Sequence, residues 1–459
     1  MNGAAERSWE GDPIRGRARA LAPLLVVLSL VLGGLSGCVL LRDDPPGASA
    51  PTSAAPPPPG VIEDLKRVLR RRAVAVREDR ARQFRAGLAA GDPAFRRAQS
   101  AYFTSVRQLP LGVFRYSFDP ADILRVEGSY WVVVRVHLQL EGYDAAPVVS
   151  RDRYLFSPDT RGRLRLASVT DAAWEARNGV LAQPWDRGPV QVRSVAGVLG
   201  VFDAGSVEQA DDLLTSVQRG ITDVSAVVPY TWEHRVVVYA LSDTGFMASL
   251  RELPGGDPDA VDAVAFPVPL DDADPLAATA GVRVALHPRM LAREDAARDR
   301  LVRHELTHVA LGERDDDVPT WLSEGIAEWV SVAPLAPQDR ALSTASLVAA
   351  REGLESGDLD LPASEVFNGS TSGANYGLSW WACEHLVSSY GEAVLWDLVD
   401  ALGDRADDRA DDGAAQGADE GAGQGTDERG GEVLRRLTGL RTADLAQAAA
   451  RRMVATYGP

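Results

Sequence analysis

The stretch RHELTHVALGERDDDVPTWLSEGIAEWV, residues 303–330, dictates how the chain around it must pack. His304 and His308 are four residues apart, so on a helix their imidazoles leave one face about 40° apart. Two such rings can reach one tetrahedral ion, and Glu305 lies one position out of phase, free to act on a water. The helix is expected over Met290–Leu311, with Gly312 as its stop. Pro319 and Thr320 start a second helix, whose core side is Trp321, Leu322, Ile326 and Trp329. Glu324 and Glu328 share a face of that helix, where a carboxylate is costly unless it is paired or binds a metal. The Asp315-Asp316-Asp317 turn reverses the chain between the two helices. His304, His308 and Glu324 are therefore the expected ligands of one ion, Zn2+ by the reach of such donors, with a fourth position open. Glu328 is expected to accept the other N–H of a ligand histidine, His304 by preference. The plainer alternative is two surface helices with solvated glutamates, which leaves the flanking tryptophans without a reason.

The rest of the chain reads as an α+β protein. At 459 residues it has room for two or three domains. Residues 61–92 and Pro93–Val106 have helical periodicity, followed by alternating runs at 112–119, 129–140, 148–159 and 162–171. That order suggests a small α+β cone over residues 61–180, similar in architecture to nuclear-transport-factor-like domains and serving as a spacer or packing unit. A second unit, 188–459, opens with strands at 189–202 and 234–243 around a helix at Val207–Val224. Further strands are expected at 260–268 and 281–288, and helices to the end. Residues 403–431 have many acids, glycines and alanines and no larger apolar residue, and are expected to be a disordered acidic insertion. The net charge of -17 argues against a nucleic-acid partner, which needs clustered positive charge.

HELTH followed by WLSEGIAEW resembles the gluzincin metallopeptidases, in particular the peptidase-MA-like group related to the aminopeptidase N and thermolysin families. The resemblance covers roughly residues 275–400 and says little about the first 180. It implies a zincin-like catalytic domain, with zinc on His304, His308 and Glu324 and water activation by Glu305. A carboxylate one turn past the third ligand recurs in the family, which fits Glu328. Fifteen residues separate His308 from Glu324, fewer than in aminopeptidase N relatives, so the connecting loop is shorter. GANYGLSWWACEHLVSSYG, residues 373–391, resembles the family's Tyr-x-x-Gly helix, which implies that Tyr376 donates its hydroxyl to the oxyanion. Ser379 stands where the family has a glycine. Tyr376 as a core tyrosine of that helix is an equal alternative, and Cys383 and His385 read as packing residues.

The implied activity is a zinc peptidase acting on peptide or protein substrates. No Gly-x-Met-Glu-Asn-like segment is present to hold a substrate amine, which favours endopeptidase action. A zinc hydrolase of a non-peptide amide or ester, and a catalytically silent scaffold of the same fold, are the alternatives. In gluzincin-like folds an extended substrate pairs with the edge strand before the zinc helix. Residues 281–288 are expected in that position, an interior strand being the alternative.

The N-terminus carries its own signal. Arg15, Arg17 and Arg19 precede an apolar run from Leu21 to Leu35, ending in Leu35-Ser36-Gly37-Cys38. This resembles a bacterial lipoprotein signal over residues 1–37, which implies a diacylated Cys38 and a Pro/Ala-rich linker over 38–60. A transmembrane anchor is the alternative. Either way the body is expected outside the cytoplasm, held to the membrane. Cells fed radiolabelled fatty acid should label the protein through Cys38, and Cys38→Ala should abolish the label. A mature protein that keeps its first 37 residues would indicate the anchor instead.

Overall fold

The first helices fall within the stretch whose periodicity predicts them. The structure, a computed structural model, describes residues 57–251, 253–274, 278–293, 295–411 and 422–458. The expected leader, Cys38 and nearly all of the linker lie outside the described residues. The helical pattern over 61–92 divides into α1 (Pro59–Arg77) and α2 (Ala81–Ala86), the chain turning at Asp79 with φ 50°. α3 spans Pro93–Val106, started by Asp92, which accepts the N–H groups of Ala94 and Phe95. β1 (Leu111–Val126), β2 (Ser129–Leu140), β3 (Val148–Pro158) and β4 (Leu164–Ser168) then form an antiparallel sheet in chain order. Leu65 and Leu69 of α1 share a core with Val132, Val134, Phe156 and Leu166 of that sheet.

Two short helices, α4 (Ala172–Asn178) and α5 (Pro184–Arg187), lead to a second sheet. The apolar run 189–202 is a hairpin of β5 (Gln191–Val195) and β6 (Val198–Phe202), not a single strand. α6 (Ala210–Ser225) crosses over to β7 (Val236–Ala240), which pairs parallel with β6. β8 (Ala263–Pro269) and β9 (Thr279–Leu286) complete the order β5-β6-β7-β9-β8, with β8 antiparallel to β9.

The central strands are buried on both faces, which is why β7 reads as the unbroken apolar run VVVYA. Val198, Phe202, Val236, Val238, Val284 and Leu286 face one core; Leu199, Val201, Val237, Tyr239 and Ala285 face another. The second core also contains Val76, Phe84, Phe103, Phe114 and Leu140. The N-terminal unit therefore covers the back of the second sheet, as a packing unit and not as a spacer. An ion pair between Asp144 and Arg283, both almost fully buried, joins the two across that junction.

The remaining chain is helical. α7 (Pro288–Leu291) and α8 (Asp295–Leu311) replace the single helix expected from Met290. They are followed by α9 (Thr320–Val332), α10 (Thr344–Ser356), α11 (Ser372–Tyr390), α12 (Ala393–Asp411), α13 (Ala422–Thr438) and α14 (Thr442–Tyr457). Among the described residues no helix is long and apolar enough to cross a membrane. The acidic segment 403–431 is corrected at both ends, where α12 and α13 extend into it; residues 412–421 lie outside the described ones. The part of α13 inside that segment has no larger apolar side chain and is held by polar contacts: Asp427 accepts Ser364 N–H at 2.9 Å and Ser364 O–H at 2.6 Å, while Val433 and Leu434 beyond it are buried in the core.

The strand at 281–288 is also corrected. β9 lies inside the sheet, between β7 and β8, and the free edge beside the site belongs to β8. His287 N–H donates to Asp262 O at 2.9 Å, so the bonded pairs with β9 continue at Val264↔Ala285 and Phe266↔Arg283. Ala263, Ala265, Pro267 and Pro269 consequently point their backbone groups outward, and proline is tolerated there because no ladder N–H is lost. Ala285→Pro should remove an interior ladder bond and cost on the order of 3 kcal/mol or more. Urea melts check this; a variant as stable as the native chain would contradict the interior placement.

Candidate metal centre

The helix that carries the histidines ends as its sequence dictates. Gly312, at φ 60°, turns α8 into a short 3-10 segment, Gly312–Asp315, and the chain then re-enters α9 behind Pro319. α9 lies across α8 with Trp321, Leu322 and Ile326 buried, so Glu324 faces the histidines. The close approach of α9 to α11 depends on Gly325, where a Cβ would stand 2.7 Å from Ser379 O and 2.8 Å from Cys383 Sγ. Ser379 is small enough for that crossing and Cys383 is fully buried in it. His385 stands outside the ligand cluster.

His304 Nε2 and His308 Nε2 are 3.3 Å apart, and Glu324 Oε2 lies 3.1 Å from the first and 3.5 Å from the second. Donor atoms bound tetrahedrally at about 2.0–2.1 Å stand roughly 3.3–3.4 Å from one another. The three distances match that spacing. Glu324 Oε2 is buried without a hydrogen bond to either neighbour, so its lone pair is left for a shared occupant. The residues present therefore fit a metal ion on His304, His308 and Glu324.

Around these ligands stands a ring of charge. Glu328 Oε1 is 3.4 Å from His304 Nδ1, an ion-pair distance without hydrogen-bond alignment, and its Oε2 accepts from Arg300 at 2.5 Å. Arg300 is itself held by Ala341 O at 2.7 Å and by the Trp380 ring. His308 Nδ1 is 2.8 Å from Asp315 Oδ2, and Ser323 O–H donates to Asp315 Oδ1 at 2.6 Å. Sequence reasoning missed Arg300 as a partner of Glu328 and treated Asp315 only as part of a turn.

Glu305 and Tyr376 line the same cavity of about 780 Å³, bounded by Ala263–Ala265 of β8 and by Asn368. Glu305 is buried, which pushes its carboxyl above the usual range; the Ala265 N–H and the two histidines oppose that. The Tyr376 ring centroid is 6.0 Å from that of His304, and its hydroxyl is 3.5 Å from Asn368 Oδ1. Burial, and then the charges of Glu324, Glu305 and Glu328, push the Tyr376 phenol well above its ordinary value, so it stays protonated. Burial favours neutral His304, but Glu324 and Glu328 outweigh it and raise the imidazole to about 9. His308 is raised likewise, by Asp315 and Glu324 against burial. Burial raises Glu324, and the two histidines more than reverse it, holding the carboxyl below its usual range.

Comparison with models of known protein families, and with curated proteins, finds no match. The arrangement thus stands on its own chemistry: three converging donors, a buried carboxylate beside them and a neutral hydroxyl, all on one cavity.

Without an ion both histidines carry protons at neutral pH. A raised pKa stabilises the fold fully below the unfolded value of 6.5, and that contribution is lost as pH rises through about 9. A metal needs neutral imidazoles, so its affinity runs the other way and grows with pH. Chelator-treated protein should therefore lose melting temperature between pH 6.5 and 9, and zinc-loaded protein should not. Parallel pH profiles with and without chelator would contradict the site.

Proposed function

We propose that the chain is a zinc-dependent peptidase of the gluzincin kind. It is an endopeptidase acting on peptide or protein substrates at the outer face of the cytoplasmic membrane, to which Cys38 ties it. In this reading residues 188–459 are a zincin-like catalytic domain and residues 61–180 its cone-like cover. The observation that carries the proposal is the spacing of His304 Nε2, His308 Nε2 and Glu324 Oε2, with Glu305 on the same cavity. An N2O donor set with an open side suits catalytic zinc.

Bound zinc would supply Lewis acidity, which polarises a carbonyl and lowers the pKa of a water. Glu305 takes the proton from the attacking water and returns it to the leaving nitrogen, a role suited to a buried carboxylate with a raised pKa. Ala265 N–H orients that carboxylate from the sheet edge. Tyr376, held protonated, donates to the oxyanion that develops on the substrate. Glu328 and Arg300 keep the His304 ring in place.

The outward backbone groups of β8 favour a peptide over a small amide or ester. An extended chain pairs there by β-augmentation, which tolerates many side chains. The strip is short, because the outward Ala265 N–H is already taken by Glu305 and Pro267 and Pro269 offer no N–H at the following outward positions. A silent scaffold would have little use for a buried, uncapped Glu324 oxygen.

Glu305→Gln should keep zinc and lose hydrolysis of a generic unfolded protein by roughly 100- to 10,000-fold. Zinc content by elemental analysis and turnover of casein, measured on both proteins, check this. Normal turnover in the variant sinks the mechanism, and a native protein that holds zinc but cleaves nothing points to the scaffold.

A further inference from the structure

The short connection between the ligand helices ends beneath one of the ligands. The 3-10 segment Gly312–Asp315 leaves α8 directly after the histidines and carries Asp315 back to His308. One carboxylate oxygen lies 2.8 Å from His308 Nδ1 and the other accepts the Ser323 hydroxyl at 2.6 Å. Ser323 immediately precedes Glu324. A single carboxylate therefore touches the histidine helix and the glutamate helix, each at or next to a ligand.

We infer that Asp315 is a positioning residue: it takes the Nδ1–H of His308, which leaves the Nε2 lone pair for the metal, and through Ser323 it sets the spacing of His308 and Glu324. The inference rests on the metal reading above. Hydrogen bonding at one ring nitrogen decides which tautomer the other presents. The connection is itself secured from outside. Arg429 of α13 donates to Asp317 O at 2.7 Å, Gly430 packs on Pro319, and Ser364, fixed by Asp427, accepts Thr320 N–H at 3.1 Å. Asp315 is thus held by a braced segment, and α13 braces it.

Asp315→Asn separates positioning from mere shape. The amide keeps the volume and can still hydrogen-bond, but it loses the charge and can present an N–H to His308 Nδ1. The full chain, its Asp315→Asn and Ser323→Ala variants, and Glu313→Gln as a charge control in the same segment are titrated with zinc against a chromophoric chelator. Asp315→Asn should weaken zinc binding about 10- to 100-fold. Ser323→Ala should weaken it several-fold, and Glu313→Gln should leave it unchanged. The visible absorption of bound cobalt should shift in Asp315→Asn and not in Glu313→Gln. Native zinc affinity with an unshifted cobalt spectrum in Asp315→Asn overturns the inference while the metal reading stands. If Asp315→Asn fails to fold, native affinity in Ser323→Ala overturns it. A native chain that binds neither metal removes the metal reading, and the inference with it.

Discussion

Everything in the C-terminal half depends on holding a buried glutamate against two imidazoles. Glu324 is largely withdrawn from solvent, and an isolated carboxylate there would be expelled or protonated. It stays ionised because α8 and α9 pack closely enough to set both histidines against it. That packing has identifiable causes. Arg303 reaches from α8 to Ser331 O of α9 at 2.7 Å, and Gly325 lets α11 press on α9 from behind. On the other side, Gly220 of α6 admits Val302 and Leu306 of α8, where a Cβ would stand 2.9 Å from each. The ligand helices are thus squeezed between two crossings that small residues permit.

The second sheet explains why this helix pair faces an open cleft. Its parallel strands bury both faces, so each face needs a cover. α6 and α8 cover the front, and the N-terminal unit covers the back through Phe84, Phe103, Phe114 and Leu140. Asp144 and Arg283 close that back face with charge where apolar packing ends, and an unpaired partner there would be costly. With both faces occupied, only the β8 edge remains open beside the histidines. The N-terminal unit accordingly bears on the cleft from a distance, by fixing the sheet whose edge forms one wall.

The elements with strong local punctuation were legible in the sequence: the start of α3 at Asp92-Pro93, the stop at Gly312 and the start of α9 behind Pro319. The convergence of His304, His308 and Glu324 was legible as well, because helical spacing and the cost of a carboxylate near a core point the same way. What escaped reading depended on contacts between distant segments. Asp315 looked like a turn residue because turn chemistry alone accounts for three aspartates. Arg300 was readable in principle, since it precedes His304 by one helical turn and so shares its face. Pro267 and Pro269 were the available sign that β8, not β9, is the edge. The helical end of the acidic segment in α13 could not be read from composition, because Asp427 and Arg429 make their contacts with Ser364 and Asp317, far away in sequence.

The charges explain how such a site can exist with or without an occupant. Four carboxylates, Glu305, Glu324, Glu328 and Asp315, surround two imidazoles, with Arg300 behind Glu328. Two protons on the imidazoles, or one dication on the neutral imidazoles, bring the same charge to that ring. Exchange between them keeps the net charge inside the ring of carboxylates the same. A site built this way requires positive charge at its centre and leaves pH and metal supply to decide its form. The same excess of carboxylates keeps Tyr376 protonated, which is the state in which its hydroxyl can donate. Ligand binding and the donor beside it thus follow from one electrostatic arrangement, set by where two helices cross.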